Sequence, residues 1–136
     1  LSEVDRGLKL SAMDLARAEL TRLEVWERLR ELMDKYECFL IPSTQLSAFD
    51  VTLPYPSSVD GVKMATYIDW MKACWYISFV ENPSISVPAG FTPEGLPVGL
   101  QIVGRHRKER SVLQLAHAFT EAARVGERRP GLLETL

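Results

Sequence analysis

Between Asn82 and Arg105 the chain reads Asn-Pro-Ser-Ile-Ser-Val-Pro-Ala-Gly-Phe-Thr-Pro-Glu-Gly-Leu-Pro-Val-Gly-Leu-Gln-Ile-Val-Gly-Arg, two short apolar runs punctuated by prolines and glycines. Ser84 to Val87 and Val98 to Val103 alternate apolar with small or polar residues, the period of a strand with one face on a core. Thr92-Pro93-Glu94-Gly95 places proline and glycine where a type I turn takes them. The spacing predicts an antiparallel hairpin. The glycines at 90, 95, 99 and 104 fit turns and close strand packing, because no GKS or GxGxxG carries a strand into a helix around a phosphate.

Helical periodicity flanks this hairpin. Ser11-Ala12-Met13-Asp14 has the form of a capping box, and Met13, Ala16, Leu20, Leu23, Trp26, Leu29, Met33 and Tyr36 recur at steps of three and four. One amphipathic helix of about seven turns is predicted over Ala12 to Glu37, its apolar stripe serving a sheet rather than a coiled coil. Cys38-Phe39-Leu40-Ile41 reads as a buried strand closed by Pro42. The Ser-, Thr- and Pro-rich stretch from Pro42 to Gly61 reads as an irregular surface segment.

Val62 to Val80 is apolar on nearly every face, so a helix buried on both sides is expected there. Val112, Ala116, Phe119 and Ala123, reinforced by Leu115 and Ala122, predict another amphipathic helix from Ser111 to Arg124, capped near Gly126. Glu127 to Leu136 reads as a tail or a final docking strand. At 136 residues the chain fits a single domain, 1–136, with little left to cover the 62–80 helix. That shortage, with a start at Leu1, leads us to expect a fragment whose missing N-terminal part supplies the covering surface.

Charge and cysteine usage narrow the function classes. Sixteen Lys and Arg against eighteen Asp and Glu leave a net charge of −2, which offers nucleic acid no electrostatic footprint. The longest apolar run, Ala73 to Val80, is far short of the ~20 residues that cross a bilayer, so no membrane association is expected. Cys38 and Cys74 have no His or Cys companions at ligand spacing and read as buried thiols in a reducing compartment, the cytoplasm.

His106 and His117 lack partners at ligand spacing, so neither a metal nor any other cofactor is indicated. Carboxylate pairs such as Glu31 and Asp34 fall on exposed helix positions. Arg105, Arg107, Lys108 and Arg110 cluster after the hairpin, but Glu109 interrupts them and no aromatic residue stands by for stacking, so a solvated turn is expected.

Three further blocks resemble one family in order. They are Arg6-Gly7-Leu8-Lys9-Leu10-Ser11 with its helix, Leu40-Ile41-Pro42-Ser43-Thr44 with Phe49-Asp50-Val51 beyond, and Tyr67-Ile68-Asp69-Trp70 leading toward the hairpin. With Gly95-Leu96-Pro97-Val98-Gly99-Leu100-Gln101-Ile102-Val103-Gly104, they resemble the closing portion of the amidase signature family. The resemblance implies an α/β fold around a mixed sheet, to which this portion gives a long N-terminal helix, a buried helix, an antiparallel hairpin and a covering C-terminal helix. It implies hydrolysis of a small-molecule amide by a Ser–Ser–Lys set on a Gly/Ser-rich core.

No such core is present in this sequence. Ser57, Ser58 and Lys63 are a superficial match only, since the family's lysine precedes its serines and glycines surround them. Catalytic residues are therefore expected on the N-terminal part of the same enzyme. By resemblance, Trp70, Cys74, Ile77 and Phe49 are candidates to line the acyl pocket, with plain core packing as the competing role. Ahead of the hairpin the family carries an Asn, a small residue and a Gly, where this chain has Ser78, Val80 and Glu81; a shifted loop or altered pocket is expected there. Two alternatives stand beside the fragment reading: the amidase subunit of a tRNA-dependent amidotransferase, and a free-standing, non-catalytic binding module that keeps the fold's edge for a partner and covers its apolar helix by self-association into a homo-oligomer, burying ~1,600 Å² or more.

Overall fold

A computed structural model describes residues 2–128, which fall into two compact units divided between Lys35 and Tyr36. The first unit holds helices α1 (Ser2–Gly7) and α2 (Ala12–Lys35). The capping box closes in both directions: Asp14 N donates to Ser11 Oγ at 3.2 Å, and Ser11 N donates to Asp14 Oδ2 at 2.9 Å. Ion pairs Arg22–Glu19 and Arg30–Asp34, three and four residues apart, sit in solvent and add a few tenths of a kcal/mol each at most.

In the second unit a three-stranded antiparallel sheet runs in the order β1–β5–β4, with β1 at Cys38–Pro42, β4 at Ser84–Phe91 and β5 at Pro97–Gly104. β4 and β5 are the expected hairpin. Its turn is closed by Gly95 N donating to Thr92 O at 2.9 Å, with Gly95 at φ +85°, a conformation glycine enters without steric cost. A bulge between Pro88 and Gly90 re-aims the end of β4.

β1 corrects an expectation. It is an edge strand that pairs only with β5 among the described residues, and Leu40 is 53% exposed, so the continuous apolar run does not mark a fully buried strand here. Short apolar runs do not reveal by themselves how many neighbours cover them.

The 62–80 helix is corrected as well. Asp60 and Gly61, at φ +47° and +76°, make a tight turn between two-residue strands β2 (Ser58–Val59) and β3 (Val62–Lys63). This is the Asp-Gly hairpin signal, placed where an irregular segment was expected. A 3₁₀ turn at Asp69–Met71 leads into α3, which is confined to Lys72–Val80. Ile77 and Val80 are buried on it, whereas Trp75, Tyr76 and Phe79 remain open on its other side.

Glu81 terminates α3 in the left-handed conformation, φ +59°. This is the position where the family resemblance led us to look for Gly, and the backbone supplies the reason, since a side chain there costs about 1 kcal/mol.

α4 (Glu109–Ala123) covers one sheet face, with Val112 and Ala116 packed with Val87 and Ile102 and flanked by Ile85, Leu100 and Phe119. Gly104 permits that approach: a Cβ there would lie 2.3 Å from Val112 Cγ2. The helix ends at Arg124, as the periodicity predicts, but Arg124 itself and not Gly126 takes the cap position. Arg124 takes φ +52°, its N–H bonds Thr120 O at 2.9 Å, and its Nε reaches Glu127 Oε1 at 2.8 Å. Gly126 lies inside a 3₁₀ turn, Val125–Glu127, so the start of the expected tail is a turn, and its remainder beyond 128 lies outside the described residues.

Candidate functional site

The site-forming segments are the stretch after β1 and the approach to α3. Pro42 ends β1, and Ser43 N still bonds Gly99 O at 3.0 Å, so the ladder carries the chain one residue past the proline. From there the loop is tied to α3 twice. Cys74 Sγ donates to Ser43 O at 3.1 Å, and Ala73 N donates to Gln45 Oε1 at 3.3 Å. Farther along, the Asp50 carboxylate accepts from Thr52 N at 2.8 Å and Thr52 Oγ1 at 2.7 Å, which fixes the turn that follows Phe49. Those bonds, the backbone N–H first, hold the Asp50 pKa below its ordinary value.

Phe49 meets Trp70 edge to face, with ring centroids 5.3 Å apart at 88°. Tyr67 stands against the same indole at 6.0 Å, and Tyr55 against Tyr67 at 6.4 Å, so four rings form a continuous aromatic row. Trp70 is positioned by its neighbour Asp69, whose Oδ2 accepts from Ala65 N and Thr66 N at 2.9 Å each. The indole N–H of Trp70 is buried and has no partner, whereas that of Trp75 donates to Ile68 O at 3.1 Å.

Of the four sequence candidates, Phe49 and Trp70 are thus in direct contact. Cys74 is tied to the end of β1, and Ile77, three residues on along α3, is 7% exposed. Ser58 and Lys63 face each other across the β2–β3 ladder on an exposed surface. An oxyanion site needs donors held away from water, which that surface does not offer. His106 precedes the left-handed Arg107 in the β5–α4 turn, and His117 is exposed on α4. No group of three His, Cys, Asp or Glu able to hold a metal ion occurs among the described residues.

A concavity of about 760 Å³ opens elsewhere, over the hairpin end of the sheet. Ser43, Ser86, Phe91, Val98, Gly99 and Arg128 line it, and none of the four sequence candidates does. The Ser43 and Ser86 hydroxyls share a hydrogen bond of 2.5 Å. Gly99 lies under them, where a Cβ would fall 2.7 Å from Ser43 Oγ and 3.0 Å from Ser86 Oγ. The Arg128 guanidinium stacks 4.3 Å from the centre of the Phe91 ring. The sequence held one signal for this feature, a glycine inside an alternating strand, which marks a close approach. Nothing in it placed Ser43 beside Ser86.

The Amidase family model matches residues 4–113. An acylamidase of Rhodococcus erythropolis is 32% identical over 123 residues, covering 90% of this chain and 26% of that protein. A glutamyl-tRNA(Gln) amidotransferase subunit from Brevibacillus brevis is 36% identical over 115 residues, covering 84% of this chain and 22% of that protein. Among solved structures, a bacterial aryl acylamidase of the amidase signature family superposes with a TM-score of 0.78 at 26% identity, over 93% of this chain and 28% of that one. The 6-aminohexanoate cyclic dimer hydrolase, at 20% identity and a TM-score of 0.78, shares the fold. The chain spans about a quarter of the length of the curated relatives it matches. With the hairpin, the strand before it and the covering helix in the family's order, the chain belongs to the amidase signature family.

Proposed function

We propose that residues 1–136 act as one domain, the C-terminal part of a cytoplasmic amidase that hydrolyses a carboxamide C–N bond to an acid and ammonia or an amine. The observation that carries this reading is the family match over 4–113, set against a chain that covers 26% of the acylamidase. The Ser–Ser–Lys set then belongs to the N-terminal part of the same enzyme, and the chain alone is inert. Support for inertness comes from the sequence, which has no Gly/Ser-rich stretch with two spaced serines after a lysine.

In this reading Phe49, Trp70, Cys74 and Ile77 contribute to the wall of the acyl pocket. The Phe49–Trp70 contact and the unpartnered indole N–H favour that role, since a buried donor is normally satisfied unless a ligand is its partner. Incubating the isolated chain with aliphatic and aromatic amides should release no ammonia; turnover that depends on an identifiable nucleophile would overturn its inertness. In the complete enzyme, Trp70→Ala should shift the ratio of kcat/KM between aromatic and aliphatic amides, and an unchanged ratio with lower stability would leave Trp70 a packing residue.

A second reading is favoured by the 36% identity to the amidotransferase protein: the ammonia set free by amide hydrolysis would pass to a partner instead of being released to solvent. Nitrogen transferred to a glutamyl-tRNA in the presence of partner proteins, with little free ammonia, would select it over the simple amidase.

A further inference from the structure

The concavity over the hairpin end of the sheet is separate from the four pocket candidates and takes no part in the reading above. Phe91, Pro97 and Val98 give it an apolar wall, and Val98 is 39% exposed there. Among the described residues its one charged lining side chain is Arg128, whose guanidinium lies 4.3 Å from the centre of the Phe91 ring. Arg128 is also the last described residue, so the chain leaves the described fold from the rim of the concavity. It leaves extended, at φ −73° and ψ 116°, with the Arg128 N–H bonded to Val125 O at 3.2 Å.

From that rim the sequence continues Arg129-Pro130-Gly131-Leu132-Leu133-Glu134-Thr135-Leu136. Pro-Gly at the two central positions of a four-residue stretch is the signature of a type II turn, proline presetting φ at the first and glycine entering positive φ at the second. Such a turn over 129–132 sends the chain back toward Arg128 instead of away from it. Two leucines follow at once, and then an acid. Leu133 is five residues beyond Arg128 and so cannot lie more than about 18 Å from it. Apolar side chains are thus delivered beside an apolar wall, and a carboxylate beside a guanidinium.

We propose that the C-terminal segment 129–136 folds back into this concavity, with Leu132 and Leu133 against Phe91 and Val98 and Glu134 beside Arg128. A segment tethered at the rim meets the site at an effective concentration on the order of 1 mM, which a second copy matches only when it is that concentrated itself. The concavity is then an internal docking site. Its occupant shields the apolar wall of the hairpin from water and competes with any small molecule that enters. The inference needs no catalytic activity and stands apart from the amidase reading.

The test uses the isotopically labelled 136-residue chain and nuclear Overhauser contacts. These should run from the Leu132 and Leu133 methyls to the Phe91 ring and the Val98 methyls. Leu132→Asp combined with Leu133→Asp should abolish them and shift the backbone amides of Phe91, Val98 and Gly99, while Val112 and Ala116 in the core keep their resonances. A native chain that shows the β4–β5 contacts but none from either leucine to the hairpin overturns the proposal without any variant. So does a double variant whose Phe91, Val98 and Gly99 amides do not move. Contacts found only between differently labelled copies, and lost on dilution, overturn it as well, because the occupant is then a second copy.

Discussion

Ser43 at the end of β1 and Ser86 in β4 meet hydroxyl to hydroxyl at 2.5 Å across the strand that separates them, because the intervening residue of β5 is Gly99. A Cβ at that position would sit 2.7 Å from Ser43 Oγ and 3.0 Å from both Ser43 Cβ and Ser86 Oγ. Gly99→Ala should therefore cost about 1–3 kcal/mol through overpacking. Adding Ser43→Ala removes the nearest of those atoms and should recover part of the loss. Urea midpoints of the two single variants and the double variant would show it; strict additivity would mean that the two residues do not press on each other.

Glu81 closes α3 at φ +59°, a conformation in which an L side chain is strained. Glu81→Gly should stabilise the second unit by about 0.5–1 kcal/mol, and Glu81→Val should destabilise it, since β-branched residues tolerate that conformation least. Thermal unfolding of the two variants, read at one scan rate, decides the sign. A loss of stability in Glu81→Gly would place the strain elsewhere.

Trp70 offers a contrast between a ring and its N–H. Trp70→Phe keeps an aromatic edge for Phe49 while removing a buried donor that has no partner, so its cost should be under ~1 kcal/mol. Trp70→Ala removes the centre of the aromatic row and should cost about 2–3 kcal/mol, below the usual range for a fully buried Trp because the ring is half-buried. Chemical denaturation with an unchanged m-value is the measurement. Similar losses for the two variants would mean that the N–H has a partner after all.

Asp69 carries an acid dependence. The Thr66 N–H, and then that of Ala65, hold its carboxyl below the ordinary value of 3.8. A group whose folded pKa is depressed contributes stability that is fully present above the unfolded pKa and fades as pH falls through the folded one. The advantage of the native chain over Asp69→Asn should thus be largest near neutrality and close below about pH 4. Denaturation midpoints across that range would show the gap narrowing; a constant gap would mean that the charge plays no part.

Elements governed by local rules were legible in the sequence. The α2 capping box, the hairpin turn at Thr92–Gly95 and the amphipathic stripe of α4 each follow from residues within one or two turns of one another, and each forms as read. The Asp60-Gly61 turn obeys an equally local rule and was overshadowed by the apolar run after it, whose composition suited a helix longer than α3. Phe49 and Trp70 were named singly from resemblance, and only the folded chain set their rings in contact.

What the residues could not specify is where distant segments meet. That β1 is an edge among the described residues, that Trp75 and Phe79 stay open on α3, and that Ser43 faces Ser86 all depend on which elements pack beside them. Sequence determined the family, the strand and helix periods and the turn chemistry, because those are set by backbone geometry over a few residues. Tertiary structure decided the coverage of each face and the pairing of the two hydroxyls, because burial and hydrogen bonding across 43 positions of chain are properties of the packed molecule.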